Sequence, residues 1–194
     1  MRNLIFSSLL ILILKPAVVH ALEIEFEETF GSGNPSTTVK ILSSTDSERF
    51  KPVIMGFIEK NPKLSINYIT ASTADIYTAI AIDKQEFDVV ISSAMDLQMK
   101  LANDGFTETV DGSIKTKVPI WARWRTNVFG FALEPVVLLI SKKDFKDLKP
   151  PKTRRDLLSL IRNNPNLFRE RIGTYDPRVS GAGYLSSTQD ARQT

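Results

Sequence analysis

The chain has no cysteine, one histidine, two tryptophans and no strong excess of either charge. Each shortage removes a class of function. Without cysteine there is no disulfide scaffold, zinc–thiolate module, Fe–S centre or thiol nucleophile. The one histidine, His20, lies in a segment that reads as a removable leader. A histidine triad, a histidine general base and a zincin site are therefore absent from the remainder. Lys and Arg number 25 against 22 Asp and Glu, a formal +3 on 194 residues. That excess is small for nucleic-acid binding, which needs a clustered basic face. No segment matches a P-loop, a dinucleotide fingerprint or a serine elbow. Past the N-terminus no apolar run is long enough to cross a membrane.

What is present begins with that leader. Arg2 supplies a positive start, and Leu4 to Leu14 is apolar but for Ser7 and Ser8. Pro16 follows as a breaker, and Val19-His20-Ala21 offers small residues at a cleavage site. Residues 1–21 thus read as a secretory signal peptide. The rival, a buried or membrane helix, suffers because the run is short for about 30 Å of hydrocarbon. Cleavage after Ala21 would leave 173 residues. The leader holds Arg2 and Lys15 and no acid, so 23 basic groups would face 22 acidic ones, a formal +1. A metal site in that remainder would rest on oxygen ligands alone.

Residues 22–38 read as an N-terminal extension, with acids at Glu23, Glu25, Glu27 and Glu28, then Gly31, Gly33 and Pro35. From Val39 the chain alternates short strands and amphipathic helices. Strands are expected at 39–42, 64–69, 87–91, 136–140 and 172–175. Apolar residues at helical spacing (Phe50, Val53, Ile54, Phe57, Ile58) predict a helix that starts late or kinks at Pro52 and ends at Asn61-Pro62. Ser72 with Asp75 and Thr153 with Asp156 carry helix-start spacing, and 95–102 is a third helical stretch. The alternation predicts an α/β fold with a mainly parallel sheet.

The strand ends carry the chemistry. Ser43-Ser44-Thr45-Asp46, Ser92-Ser93 and Ser180-Gly181-Ala182-Gly183 follow three of them. Open α/β sheets bind ligands beyond the carboxyl ends of their strands, and helix-start N–H groups with hydroxyls suit an anion. Plain helix capping explains the same residues; both readings stand at this point. The run Lys142 to Arg155 is basic but broken by Asp144 and Asp147, which fits a solvated surface and no nucleic-acid partner. Trp121, Trp124, Phe129 and Phe131 suit core or interlobe packing, with a tryptophan closing over a ligand as the alternative. Arg123 or Arg125 could reach an anion from the same stretch.

Several of these pieces together resemble a known family. They are the leader, Val39 to Asp46, Phe87 to Ser93, Phe129 to Lys142 with Glu134-Pro135, and Gly173 to Tyr184 (GTYDPRVSGAGY). The chain resembles bacterial periplasmic solute-binding proteins of ABC transporters, nearest the ferric-iron-binding-like and phosphoglycerate-transport regulatory-like subgroup. The resemblance implies a type 2, two-lobe α/β fold. It sets lobe one at 39–133, a hinge at Glu134 and Pro135, and a crossover with a partial second lobe at 134–194. It implies ligand-facing Ser44, Thr45, Asp46, Ser72, Ser92 and Ser93 in lobe one, and Tyr175, Ser180, Ala182 and Gly183 in lobe two.

Two departures bear on function. Iron-binding relatives place a His after the first strand and a Glu after the third, where this chain has Asp46 and Ser93, and no Tyr-Tyr pair occurs. An organic or phosphorylated anion therefore fits better than bare ferric iron, although Asp46 leaves a metal complex open. The family's chains also run longer, so an incomplete second lobe is expected. The implied role is periplasmic capture of a small anionic or metal-associated solute for an inner-membrane permease, with no catalysis and no cofactor. The rivals are a sensor reporting to a membrane histidine kinase, and a secreted enzyme using a Ser or Asp.

Overall fold

The computed structural model describes residues 22–111, 117–133, 135, 137–178 and 180–191. The leader and Glu134 lie outside the described residues. Period-two alternation organises the first half. Ile41, Ile66 and Tyr68 point to one side of a sheet, and Leu42 and Ile69 to the other. That pattern builds β1 (Phe26–Gly31), β2 (Thr37–Ser43), β3 (Leu64–Thr70) and β4 (Val89–Ile91). Strand order is β1-β3-β2-β4, with β2 parallel to both neighbours and β1 antiparallel to β3.

Helices cover both faces. α1 (Ser47–Lys60) packs Phe50, Ile54 and Ile58 with Phe30, Ile41, Ile66 and Tyr68 on one side. α2 (Thr73–Ala81) and α3 (Met95–Asn103) enclose Leu42, Ile69, Ile76, Ile80 and Leu101 on the other. α1 runs through Pro52 rather than starting after it. Six residues into the helix the proline removes one amide donor, that expected to bond Glu48. Asn61 ends α1 where the sequence places the stop, its amide bonded to the Ile58 carbonyl at 2.9 Å.

Residues 22–38 require a correction. They are not an appendage: Phe26–Gly31 forms the β1 edge strand and Thr37 already belongs to β2. The acids at Glu25 and Glu27 masked the strand, since an edge strand tolerates a charged outward face. Gly31 ends it at φ +110°, and a β-carbon there would lie 2.8 Å from the Leu64 carbonyl oxygen.

The second half differs. A 3₁₀ turn (Ile120–Ala122) leads to the two-residue strands β5 (Arg123–Trp124) and β6 (Val128–Phe129), then α4 (Arg154–Asn163), α5 (Pro165–Phe168) and α6 (Gly181–Ala191). The strands expected at 136–140 and 172–175 do not form: 137–140 and 172–175 are irregular, and Val136 is outside the described residues. An apolar run becomes a strand only where a ladder partner exists, and none lies beside it among the described residues. The aromatic stretch is not core either; Trp121 is 76% exposed. Phe131, though mostly exposed, meets Phe50 edge-on at 5.9 Å.

Candidate functional site

The order β3-β2-β4 makes β2 the strand from which the chain first moves one way, through α1 to β3, and then returns across it to β4. The gap between the β2 and β4 carboxyl ends is the topological switch point. A shallow cavity of about 120 Å³ lies there, lined by Ser44, Thr45, Asp46, Arg49 and Ser93. All five are polar.

Parallel pairing brings the two loops together. The Ser44 amide donates to the Ile91 carbonyl at 2.9 Å, and the Ser93 amide to Ser44 Oγ at 3.4 Å. Beneath them lies a buried polar junction that no reading of the loops alone would find. Tyr68 Oη is 2.7 Å from Ser43 Oγ and 2.8 Å from the Thr45 carbonyl oxygen, and the Thr45 amide donates to Ser43 Oγ at 3.0 Å. Burial pushes the Tyr68 hydroxyl pKa up, partly offset by the Ser43 hydrogen bond, so it remains a neutral donor. Tyr68 thus fixes the loop from below. The available signal was its place on β3, two residues after Ile66 on the same face.

α1 begins at this cavity without a side-chain cap. The Asp46 carboxylate instead meets Arg49 Nε at 3.6 Å, with both side chains exposed. The Ser47 and Glu48 amides have no partner among the described residues. Uncapped amides, a positive helix end and a guanidinium therefore converge on one small polar recess. Arg49 is absent from the site read from sequence, which stops at Asp46. Its position in the first turn, three residues after the N-cap, was the usable signal.

The other expected residues lie elsewhere. Ser72 Oγ caps α2, accepting from the Asp75 amide at 3.2 Å and donating to Asp75 Oδ2 at 2.6 Å. Ser92 Oγ accepts from the Ala94 amide at 3.2 Å, a local turn beside the cavity. Ser180 Oγ accepts from the Gly183 amide at 3.2 Å at the start of α6. Ala182 is exposed, as are Pro135 and Tyr175, the last at 67%. Gly183 is buried by close packing: a β-carbon there would come within 2.9 Å of the Tyr175 carbonyl oxygen. Its smallness serves the fold of the 175–183 turn. Gly181 does approach the site, since a β-carbon on it would lie 3.5 Å from Ser93 Oγ. Among the described residues no group of three or more His, Cys, Asp or Glu could hold a metal ion.

Comparison with known proteins bears on what such a recess serves. The family model described as bacterial extracellular solute-binding protein matches residues 39–191. The chain belongs to the bacterial extracellular solute-binding protein family. The description of that family is one of solute binding. Among solved structures, the substrate binding protein of an ABC transporter from Agrobacterium tumefaciens is similar, with 31% identity over 89% of this chain and a TM-score of 0.79. The chain spans about half, 53%, of that structure's length. No curated protein matches.

Proposed function

We propose that this chain is the extracytoplasmic solute-binding component of an ABC transport system. On this reading it captures a small oxyanion at the switch-point cavity and delivers it to an inner-membrane permease. A two-lobe frame would enclose the solute between the sheet domain and a second lobe. The observation that carries this reading is Arg49 beside the uncapped start of α1, in a recess lined entirely by polar residues. A carboxylate or phosphate group fits this donor set, because a guanidinium offers two parallel N–H bonds and helix-start amides add more. A bare cation fits poorly, since Asp46 already faces Arg49.

The test is titration of the full chain with inorganic phosphate, phosphoglycerate, citrate and ferric citrate, followed by calorimetry and thermal shift. Arg49→Ala should weaken the best oxyanion by about tenfold or more, given the strength of hydrogen bonds to charged groups. Arg49→Lys should recover part of that loss. Saturable binding that ignores Arg49→Ala would move the site elsewhere. A preference for a metal complex that depends on Asp46 would replace the oxyanion reading.

A further inference from the structure

Between Ala102 and Gly183 no described residue is fully buried. The first turn of α6 then comes back against the sheet domain. Its first residue, Gly181, sits so close that a β-carbon would lie 3.0 Å from Thr73 Cγ2 and 3.5 Å from Ser93 Oγ. One turn on, Tyr184 Oη donates to Asp96 Oδ2 at 2.5 Å, across 88 residues of sequence. Asp96 stands in the first turn of α3, the helix that follows the cavity residue Ser93.

The turn that delivers α6 is tightly tied. Arg178 holds Asp176 through Nε and Nη2, the latter at 2.6 Å. The Ser180 amide bonds the Asp176 carbonyl at 2.9 Å, and the Tyr184 amide bonds Ser180 at 2.8 Å.

We propose that Tyr184 and Asp96 form a clasp that holds α6 on the sheet domain and so sets the Ser93 side of the solute cavity. Neither residue lines that cavity. Both are positioning residues, acting through the seat that Gly181 makes on Thr73 and Ser93. The hydrogen bond to Asp96, with burial second, pushes the Tyr184 hydroxyl up to about 12. It is therefore a protonated donor throughout the neutral range. The clasp itself stands on geometry alone; only its effect on capture rests on the proposed function.

The absence of cysteine allows a direct test. Thr73→Cys with Gly181→Cys introduces the only thiol pair, at facing positions. In the full chain this pair should close to an intramolecular disulfide under mild oxidation. Adding Tyr184→Phe or Asp96→Asn should slow closure by about tenfold, as expected for a lost hydrogen bond to a charged acceptor. Equal rates with and without the Tyr184 hydroxyl would overturn the clasp.

Hydrogen exchange in the cysteine-free chain gives a second measurement should the double variant misfold. Tyr184→Phe should speed exchange of the α6 amides and leave those of β2 and β3 unchanged. Unchanged α6 exchange, or equal acceleration throughout the sheet, would also overturn it. Inorganic phosphate then tests the link to capture, with affinity expected to fall about tenfold in Tyr184→Phe. A clasp that passes the first two tests in a chain that binds no solute of the panel would leave the clasp standing and remove the proposed function. Phosphate affinity indifferent to Tyr184→Phe would remove the clasp from capture.

Discussion

The sheet domain from Phe26 to Phe106 and the stretch from Phe131 to Tyr175 have similar chemical vocabularies and opposite fates. The first encloses two apolar clusters, one on each face of the sheet. The second carries Phe131, Leu133, Val137, Leu138, Leu139 and Ile172 in the open, with Leu133 and Leu139 at 84% and 89% exposure. Hydrophobic residues alone do not make a core. In the sheet domain β2 has a parallel neighbour on each side and a helix over each face. In the second stretch the apolar run has no ladder partner among the described residues. Such an exposed apolar segment is a surface for another element to cover.

The comparison breaks most visibly under truncation. Ile76 is completely buried in α2, so Ile76→Ala should cost about 2–5 kcal/mol in urea unfolding of the full chain. Leu139→Ser alters an apolar side chain of the same size that is exposed, and should change stability by about 0.5 kcal/mol or less. It should also raise solubility. A substantial cost for Leu139→Ser would mean that this run is packed in solution and that the two regions are alike.

The sheet domain was legible because its signals are local. Ser72 and Asp75 announce a cap by spacing, and it forms, as does the equally local Thr153–Asp156 cap outside this domain. Val39 to Leu42 alternates, and β2 results. The β1 strand carries no such local signal, because its pairing with β3 spans about forty residues and its exposed face begins with Glu27. The lining of the candidate cavity was legible in part for the same reason. Ser44, Thr45, Asp46 and Ser93 sit in loops that punctuate the sequence. Tyr68 and Arg49 act from inside regular elements, where nothing interrupts the pattern. In the second half, Val136 to Ile140 carries strong strand propensity. Propensity of that kind expresses packing against neighbours, which the described chain does not supply there.

A smaller effect sharpens the contrast inside the ordered half. Tyr68→Phe keeps the ring stacked on Phe50, at 5.8 Å between centroids, and removes only the hydroxyl. The Thr45 carbonyl and Ser43 hydroxyl each lose a buried partner, which should cost about 1–3 kcal/mol. The Thr45 amide should exchange faster, and the best oxyanion should bind more weakly while the α2–α3 face is unaffected. Wild-type affinity in Tyr68→Phe would show that the loop holds its shape without support from below.

The smallest effect belongs to α4, which has no fully buried side chain and depends more on its cap than α1 or α2 do. Thr153 Oγ1 accepts from the Asp156 amide at 3.1 Å, and the Asp156 carboxylate accepts from the Thr153 amide at 3.0 Å. Hydrogen bonding by the Thr153 side chain first, then by the Lys152 amide, holds the Asp156 pKa below the ordinary aspartate value. A carboxyl with a depressed folded pKa stabilises the folded form above its unfolded pKa, about 3.9, and loses that contribution as pH falls through the folded value. Helical chemical shifts across Leu157–Ile161 should therefore be constant from neutral pH to about 5 and weaken only in stronger acid. Asp156→Asn should weaken them at every pH and abolish the acid step assigned to this residue. Thr153→Ala should lower helicity by the equivalent of about 1 kcal/mol. An acid step that survives Asp156→Asn would place the sensitive group elsewhere. α4 would then be held by contacts such as those of Phe145 and Phe168, whose rings meet edge-on at 6.0 Å, and the second stretch would have more of a core than its exposure indicates.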